Sequence, residues 1–443
     1  MDWWSETTES LGGRLARLRV GVYGSGGAPS HHVALVALWG GSPRVVTAND
    51  IRGGALDDLD ALLFPGGGLN AMAGQLNPLG PEGARLVKQW VLSGGTYVGS
   101  CAGSCHPVRM SDPYRAALPV ADEISMCSVT PLNASAGEWG LDSPGTGALR
   151  VQREESPLFA GLPDTFEVIH YNGPLFPPAA GATGRVLGPG ERFTPFERSA
   201  GQDSSAALDA ALDAGARISY RESVGAGQVI LFGSHPEFGA SALQLGWLPA
   251  ARLLANALGL VEPRGSVRGS TGELSAASLA ECLRLTRELR QTLGELLPLG
   301  EHLPAGTPPF LGRSGRELWE EAVSESREVL GRLAAFLESL QPGIARGAFL
   351  LDREPQPDQD YGFSGLRQLL ARAHGAVGAA AASAPADWPA FSTPYAEFLT
   401  HPYYQVASVY LSAGGLVAAA ALQAEAFAAL NGLPAGSVVP LTA

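Results

Sequence analysis

The chain carries a cysteine in a setting that prepares a thiol for chemistry. Gly99-Ser100-Cys101-Ala102-Gly103 follows the strand-like Gly95-Thr96-Tyr97-Val98. Small residues two before and two after a nucleophile suit a sharp strand-to-helix turn, where larger side chains would clash. Such a turn presents the sulfur at the start of the next helix, where backbone N–H groups favour a thiolate. Far downstream, Val229-Ile230-Leu231-Phe232-Gly233-Ser234-His235-Pro236-Glu237 reads as a second strand delivering a histidine and a glutamate. A cysteine, a histidine and a carboxylate supply a nucleophile, a base and a group that orients the base. In that arrangement His235 takes the Cys101 proton, and Glu237 orients and charge-stabilises the imidazole.

Two further stretches accompany these. Leu62-Leu63-Phe64-Pro65-Gly66-Gly67-Gly68 is an apolar strand ending in a glycine-rich loop, and His170-Tyr171-Asn172-Gly173 reads as a turn. Together the motifs resemble the class I glutamine amidotransferases, which place a Cys at an elbow and a His-x-Glu on a late strand. More narrowly, they resemble the amidotransferase-like N-terminal domain of some eukaryotic biotin-protein ligases. Those domains pair a Phe-Pro-Gly-Gly loop with a Cys-Ala-Gly elbow and a Tyr-Asn-Gly turn. The resemblance covers residues 17–262 and implies an α/β, parallel-sheet, flavodoxin-like domain.

It also implies roles. Cys101, His235 and Glu237 would be catalytic. The N–H groups of Ala102 and of Gly67 or Gly68 would form the oxyanion hole. Gly66, Cys105, His170, Tyr171 and Asn172 would line the substrate side. The implied substrate is a small amide such as glutamine, with no cofactor and no metal. Two departures bear on this. Many glutaminases carry a Gln four residues after the nucleophile, where this chain has Cys105. The intracellular-protease branch has a His directly after its Cys, where this chain has Ala102. Asn172 can donate and accept hydrogen bonds, so it can hold a donor amide in place of the absent Gln, or it can simply support the Gly173-Pro174 turn.

Composition narrows the function classes. At 443 residues with 45% hydrophobic and 16% charged residues, two globular domains are expected. The net charge of −13 argues against general binding to nucleic acid or an anionic membrane. No basic start followed by an apolar run reads as a secretory signal, so a cytoplasmic location is expected. The four cysteines, Cys101, Cys105, Cys127 and Cys282, lack zinc-type spacing. Cys101 and Cys105 lie one helical turn apart, a poor geometry for a disulfide.

Elements must carry these residues to one place. Arg19–Tyr23, Val45-Val46, Ala61–Phe64 and the elbow strand alternate with helices near Ser30 and over Ala84–Leu92, which predicts a parallel sheet covered on both faces. Ligands of such sheets sit at the carboxyl ends of the strands, where the Gly24 loop, the Gly66 loop, Cys101 and His235 all fall. Gly24-x-Gly26 lacks the third glycine of a dinucleotide fingerprint, since position 29 is Pro29, so the loop is expected to border the Cys101 pocket. His31 and His32 are adjacent on a helix and diverge, which suits capping or the pocket rim better than a metal. The stretch from about 110 to 220 reads as antiparallel strands and loops.

The domain reading is a loose tail over 1–16, the α/β domain over 17–262, a linker over 263–272 and a helical domain over 273–443. Leu279, Leu283, Leu289, Leu293 and Leu296 mark one apolar stripe, and Trp319, Val323, Leu330, Leu333, Leu337 and Leu340 another. Tyr403–Leu430 is strongly apolar, yet Gln405, Gln423, Glu425 and Gly414-Gly415 interrupt it, which predicts a bundle helix and not a membrane span. Its small residues permit close helix contact, within the domain or across a homodimer. Leu311–Arg316 echoes the glycine- and arginine-rich loop of biotin-protein ligases, but no second ligase motif accompanies it. Two other functions fit the chain. One is a catalytically silent domain that binds a metabolite and regulates a partner. The other is a helical docking module that delivers the Cys101 site to a separate synthetase or acceptor protein, since no ATP-binding motif is visible.

Overall fold

The computed structural model describes residues 3–66, 72–136, 140–142, 145–190, 204–239, 249–266, 270–296, 315–353, 363–382 and 402–439. Nine strands form one sheet: β1 Arg19–Tyr23, β2 Ser42–Val46, β3 Ala61–Phe64, β4 Thr96–Ser100, β5 Thr146–Gln152, β6 Thr165–Tyr171, β7 Ala182–Pro189, β8 Arg217–Val224 and β9 Gly227–Phe232. Their spatial order is β2-β1-β3-β4-β9-β8-β7-β5-β6. Pairing is parallel from β2 through β9 and antiparallel from β9 through β6. The parallel strands are short apolar runs because both sheet faces are covered; every residue of β3 and β4 is buried.

The helices of this half are α1 Trp3–Leu15, α2 Pro29–Leu38, α3 Ala48–Arg52, α4 Met72–Leu92, α5 Ala102–Cys105, α6 Asp112–Ala117, α7 Val120–Ile124, α8 Ser204–Asp213 and α9 Ala251–Gly259. Residues of α3, α4 and α7 pack on one sheet face. Residues of α1, α2 and α9 pack on the other. The stretch 1–16, expected as a loose tail, thus contains a helix. Its Arg14 Nη2 donates to the Val261 carbonyl at 2.9 Å, which fastens it to the end of the α/β half. Helix α4 begins twelve residues before the expected Ala84. It bends at Gly80, whose φ of 65° breaks the helical path, and Pro81 restarts it.

The C-terminal part is helical: α10 Ala276–Leu296, α11 Gly315–Ser339, α12 Phe349–Asp352, α13 Leu366–Ala381 and α14 Pro402–Leu430. A two-stranded antiparallel ribbon joins it, β10 Thr271–Leu274 with β11 Gly343–Arg346, so the last residues of the expected linker are a strand. One apolar cluster runs from α1, α2 and α9 into α10, α11, α13 and α14. Helix α14 packs on α2, and all ten residues of α2 are buried.

Two of the polar residues that interrupt α14, Gln423 and Glu425, have a task. Gln423 Nε2 donates to Ser364 O at 3.0 Å and to Ser30 Oγ at 3.3 Å, bridging α14 to α2. Glu425 accepts the backbone N–H groups of Gly436, Val438 and Val439 at 2.6, 2.6 and 3.0 Å. The edge strand β2 is covered by Arg346, on Ser42 Oγ at 2.9 Å, and Arg353, on Val45 O at 3.3 Å. Among the described residues no helix is long and apolar enough to cross a membrane.

Candidate active site

Strand β4 delivers Cys101 into a turn that only small neighbours permit. A Cβ on Gly99 would lie 2.5 Å from Gly103 O, and one on Gly103 would collide with the Phe64 carbonyl. Cys101 itself has φ 49°, a left-handed value that costs energy for a side-chain-bearing residue and marks a held conformation. The turn is pinned by Cys101 N on Phe232 O at 2.8 Å and Tyr97 Oη on Gly103 O at 2.5 Å.

Strand β9 ends beside it. The His235 N–H donates to Ile169 O at 2.8 Å, so β6 holds the segment that follows β9. The His235 Nδ1 lies 2.8 Å from Glu237 Oε1, which leaves Nε2 as the ring nitrogen for Cys101. Exposure is 7% for Cys101, 2% for His235 and 1% for Glu237. Burial alone would lower an imidazole. The Cys101 sulfur and the Glu237 carboxylate outweigh it and push His235 up to about 10. Burial also opposes the charge of Glu237, but His32 and His235 hold the carboxyl down at about 2. Burial drives His32 itself below the ordinary imidazole range, so the charged partner of Glu237 is His235.

Aromatic rings fix the imidazole in place. Phe238 stacks on His235 with centroids 4.2 Å apart and planes 6° from parallel. Tyr171 meets the same ring edge-on at 5.4 Å. The Tyr171 carbonyl lies 3.3 Å from the Cys101 sulfur and accepts its hydrogen when Cys101 is a thiol. Gly66 closes the opposite side: a Cβ there would lie 2.7 Å from the Cys101 Cβ and collide with the His235 ring.

The structure therefore brings Cys101, His235, Glu237, Gly66 and Tyr171 together, with Ala102 next in the chain at the first position of α5. Gly67 and Gly68 lie outside the described residues. Three residues expected on the substrate side have other surroundings. His170 is fully buried with Nδ1 3.1 Å from Ser234 Oγ, and burial lowers it to about 3, so it braces the segment before His235. Cys105 is buried behind the elbow, its Sγ 3.6 Å from Cys101 O, with its thiol pushed up by burial and by Cys101. Asn172 has φ 51°; its Oδ1 accepts the Gly145 N–H at 3.2 Å and its own N–H donates to Gly145 O at 3.1 Å. Its Oδ1 contact supports the turn.

Sequence reasoning placed His31 and His32 at the rim. His31 does pack there, 4.5 Å from the Phe238 ring. His32 instead lies inside, with Nε2 3.2 Å from Ser100 Oγ and 3.9 Å from Glu237 Oε2. Phe238 and Ser100 were not singled out, although each flanks a motif residue. Among the described residues no group of His, Cys, Asp and Glu side chains is arranged to hold a metal.

No protein-family model and no curated protein matches the chain. Among solved structures it is similar to a GMP synthase subunit from Thermoplasma acidophilum, with 16% identity and a TM-score of 0.31, over 55% of this chain and 93% of that one. A likeness that remote says nothing of activity, and the chemistry of this chain rests on its own residues.

Proposed function

We propose that the chain is a cysteine-dependent amide hydrolase of the class I glutamine amidotransferase type. The observation that carries this reading is Cys101 on a left-handed elbow, packed with His235 against Gly66, while Glu237 holds that His235 at 2.8 Å. The narrower kinship, with the N-terminal domain of biotin-protein ligases, rests on the Phe64–Gly67, Cys101–Gly103 and Tyr171–Gly173 motifs.

In the proposed reaction Sγ bonds the amide carbon while the charged His235 holds the proton on Nε2. The oxyanion that forms is held by backbone N–H groups, that of Ala102 and one from the Gly67-Gly68 loop. The C–N bond then breaks, and the His235 proton leaves with the amine or ammonia. A water, deprotonated by His235, cleaves the thioester and returns the free acid and the thiol. Glu237 keeps Nδ1 protonated throughout, so Nε2 always faces the reacting atoms. The acceptor of released ammonia would be a separate synthetase chain. The four cysteines are all free, which fits a reducing cytoplasm.

The test is a glutamine-like diazoketone electrophile, with intact-mass and peptide mapping of the adduct. Labelling confined to Cys101 and suppressed by glutamine is the expected result, together with loss of ammonia release in Cys101→Ser. Cys105, Cys127 and Cys282 are all pushed up by burial, Cys282 to about 12. First labelling at Cys127 or Cys282 would overturn the reading. Labelling of Cys101 that another amide suppresses, and glutamine does not, would retain the hydrolase and replace the donor.

A further inference from the structure

His32 has no part in the reaction above, yet it sits against two members of the site. It is the fourth residue of α2, which begins after the glycine loop that ends β1. Its Nε2 lies 3.2 Å from the hydroxyl of Ser100, the residue before the nucleophile, and 3.9 Å from Glu237 Oε2. All three residues are buried. Glu237 spends Oε1 on His235, while Oε2 has no hydrogen-bond partner among the described residues. A buried carboxylate oxygen without a donor is unstable as an anion. The ring of His32 is the group that faces it.

The tautomer follows from the surroundings. A bare Nε2 lone pair would face the lone pairs of Oε2 and repel them. It would also move the hydrogen to Nδ1, which is buried without a partner among the described residues, and an orphaned N–H costs more than an orphaned lone pair. Neutral His32 therefore carries its hydrogen on Nε2 and donates it to Ser100 Oγ, with Glu237 Oε2 3.9 Å from the same nitrogen.

We infer that His32 is a positioning residue, whose Nε2–H, anchored on Ser100, holds the Glu237 carboxylate charged and turned so that Oε1 stays on His235. The inference rests on the Cys101–His235–Glu237 reading. Without that donor Glu237 takes up a proton or swings its carboxylate away. Either change weakens the hold on His235 Nδ1, and His235 then draws the Cys101 proton less strongly. The Ser100 hydroxyl, on the residue before the nucleophile, thus ties His32 to the elbow.

The experiment measures the second-order rate of Cys101 alkylation by iodoacetamide at pH 7 in the full-length protein, with thermal melting alongside. His32→Phe fills the space without a donor and should slow alkylation about tenfold, the effect of a one-unit change in proton affinity. His32→Gln places an amide N–H near the position of Nε2 and should restore most of the rate. His235→Ala is the reference and should also slow it. An unchanged rate in His32→Phe, with His235→Ala slow, overturns the role of His32 alone. Equal slowing in His32→Phe and His32→Gln overturns it too, since packing would then suffice. An unchanged rate in His235→Ala removes the triad reading beneath it. Should His32→Phe fail to fold, Ser100→Ala removes the anchor alone, and an unchanged rate there has the same force.

Discussion

A methyl group added at Gly66 would meet the Cys101 Cβ at 2.7 Å and collide with the His235 ring. Neither neighbour can retreat easily. Cys101 is fixed by the elbow, and His235 is held between Phe238 and Glu237. Gly66→Ala should therefore force the two side chains apart. The expected outcome is a loss of at least about tenfold in the Cys101 alkylation rate with the far-ultraviolet circular dichroism unchanged. A normal rate would mean that the pair adapts. At this scale the sequence exposed the residues whose types are rare in combination. Gly99, Gly103 and Gly66 are small because something passes within contact distance, and that necessity is legible without coordinates. His32 was visible as a residue but not as a participant, because its part depends on a 3.9 Å approach between segments 205 residues apart. Asn172 showed the converse. Its chemistry suits a ligand and a turn equally well, and its contact with Gly145, 27 residues earlier, is one no local pattern announces.

Glu425 shows what an element requires of a single polar side chain. It sits in α14 among apolar neighbours, fully buried, and accepts three backbone N–H groups from the segment that follows the helix. Those donors have left water and must be met. Glu425→Ala should cost about 3 kcal/mol, read as a shift of the urea midpoint, whereas Leu433→Ala on the exposed turn should cost far less. Equal shifts would refute the clamp. In the sequence Glu425 registered only as an interruption of an apolar helix, since its partners lie beyond the helix end. The apolar stripes of α10 and α11, the limits of β3 and the antiparallel character of the middle segment were all legible, because each is a local pattern. Helix α1 and the β10–β11 ribbon were not. Both are short or weakly patterned and owe their form to what they touch, Val261 for α1 and a strand 72 residues later for β10.

For the molecule as a whole, buried histidines set the response to acid. Burial lowers His106 and His170 to about 3 and lowers His32 as well. The unfolded chain takes up these protons near the ordinary 6.5 and the folded one does not, so stability falls as pH drops from 6.5 toward 3. Glu237 adds to the loss between its ordinary 4.5 and about 2. His235 runs the other way: its contribution is fully present below 6.5 and is lost as pH rises toward about 10. Melting temperature should thus peak near neutrality and decline on both sides. His106→Gln keeps a donor for Gln75 Oε1, 2.6 Å from His106 Nε2, and should flatten the acid limb. An acid limb of unchanged slope would locate the sensitivity elsewhere. The contact between α2 and α14 also gives the molecule a history. Gln423 lies 393 residues after the Ser30 it grips. At about 5–20 residues per second, a ribosome leaves α2 without its cover for on the order of half a minute after that helix emerges. Every residue of the Cys101 site is already synthesised by then, so the nascent chain carries its reactive thiol before the scaffold around it can close.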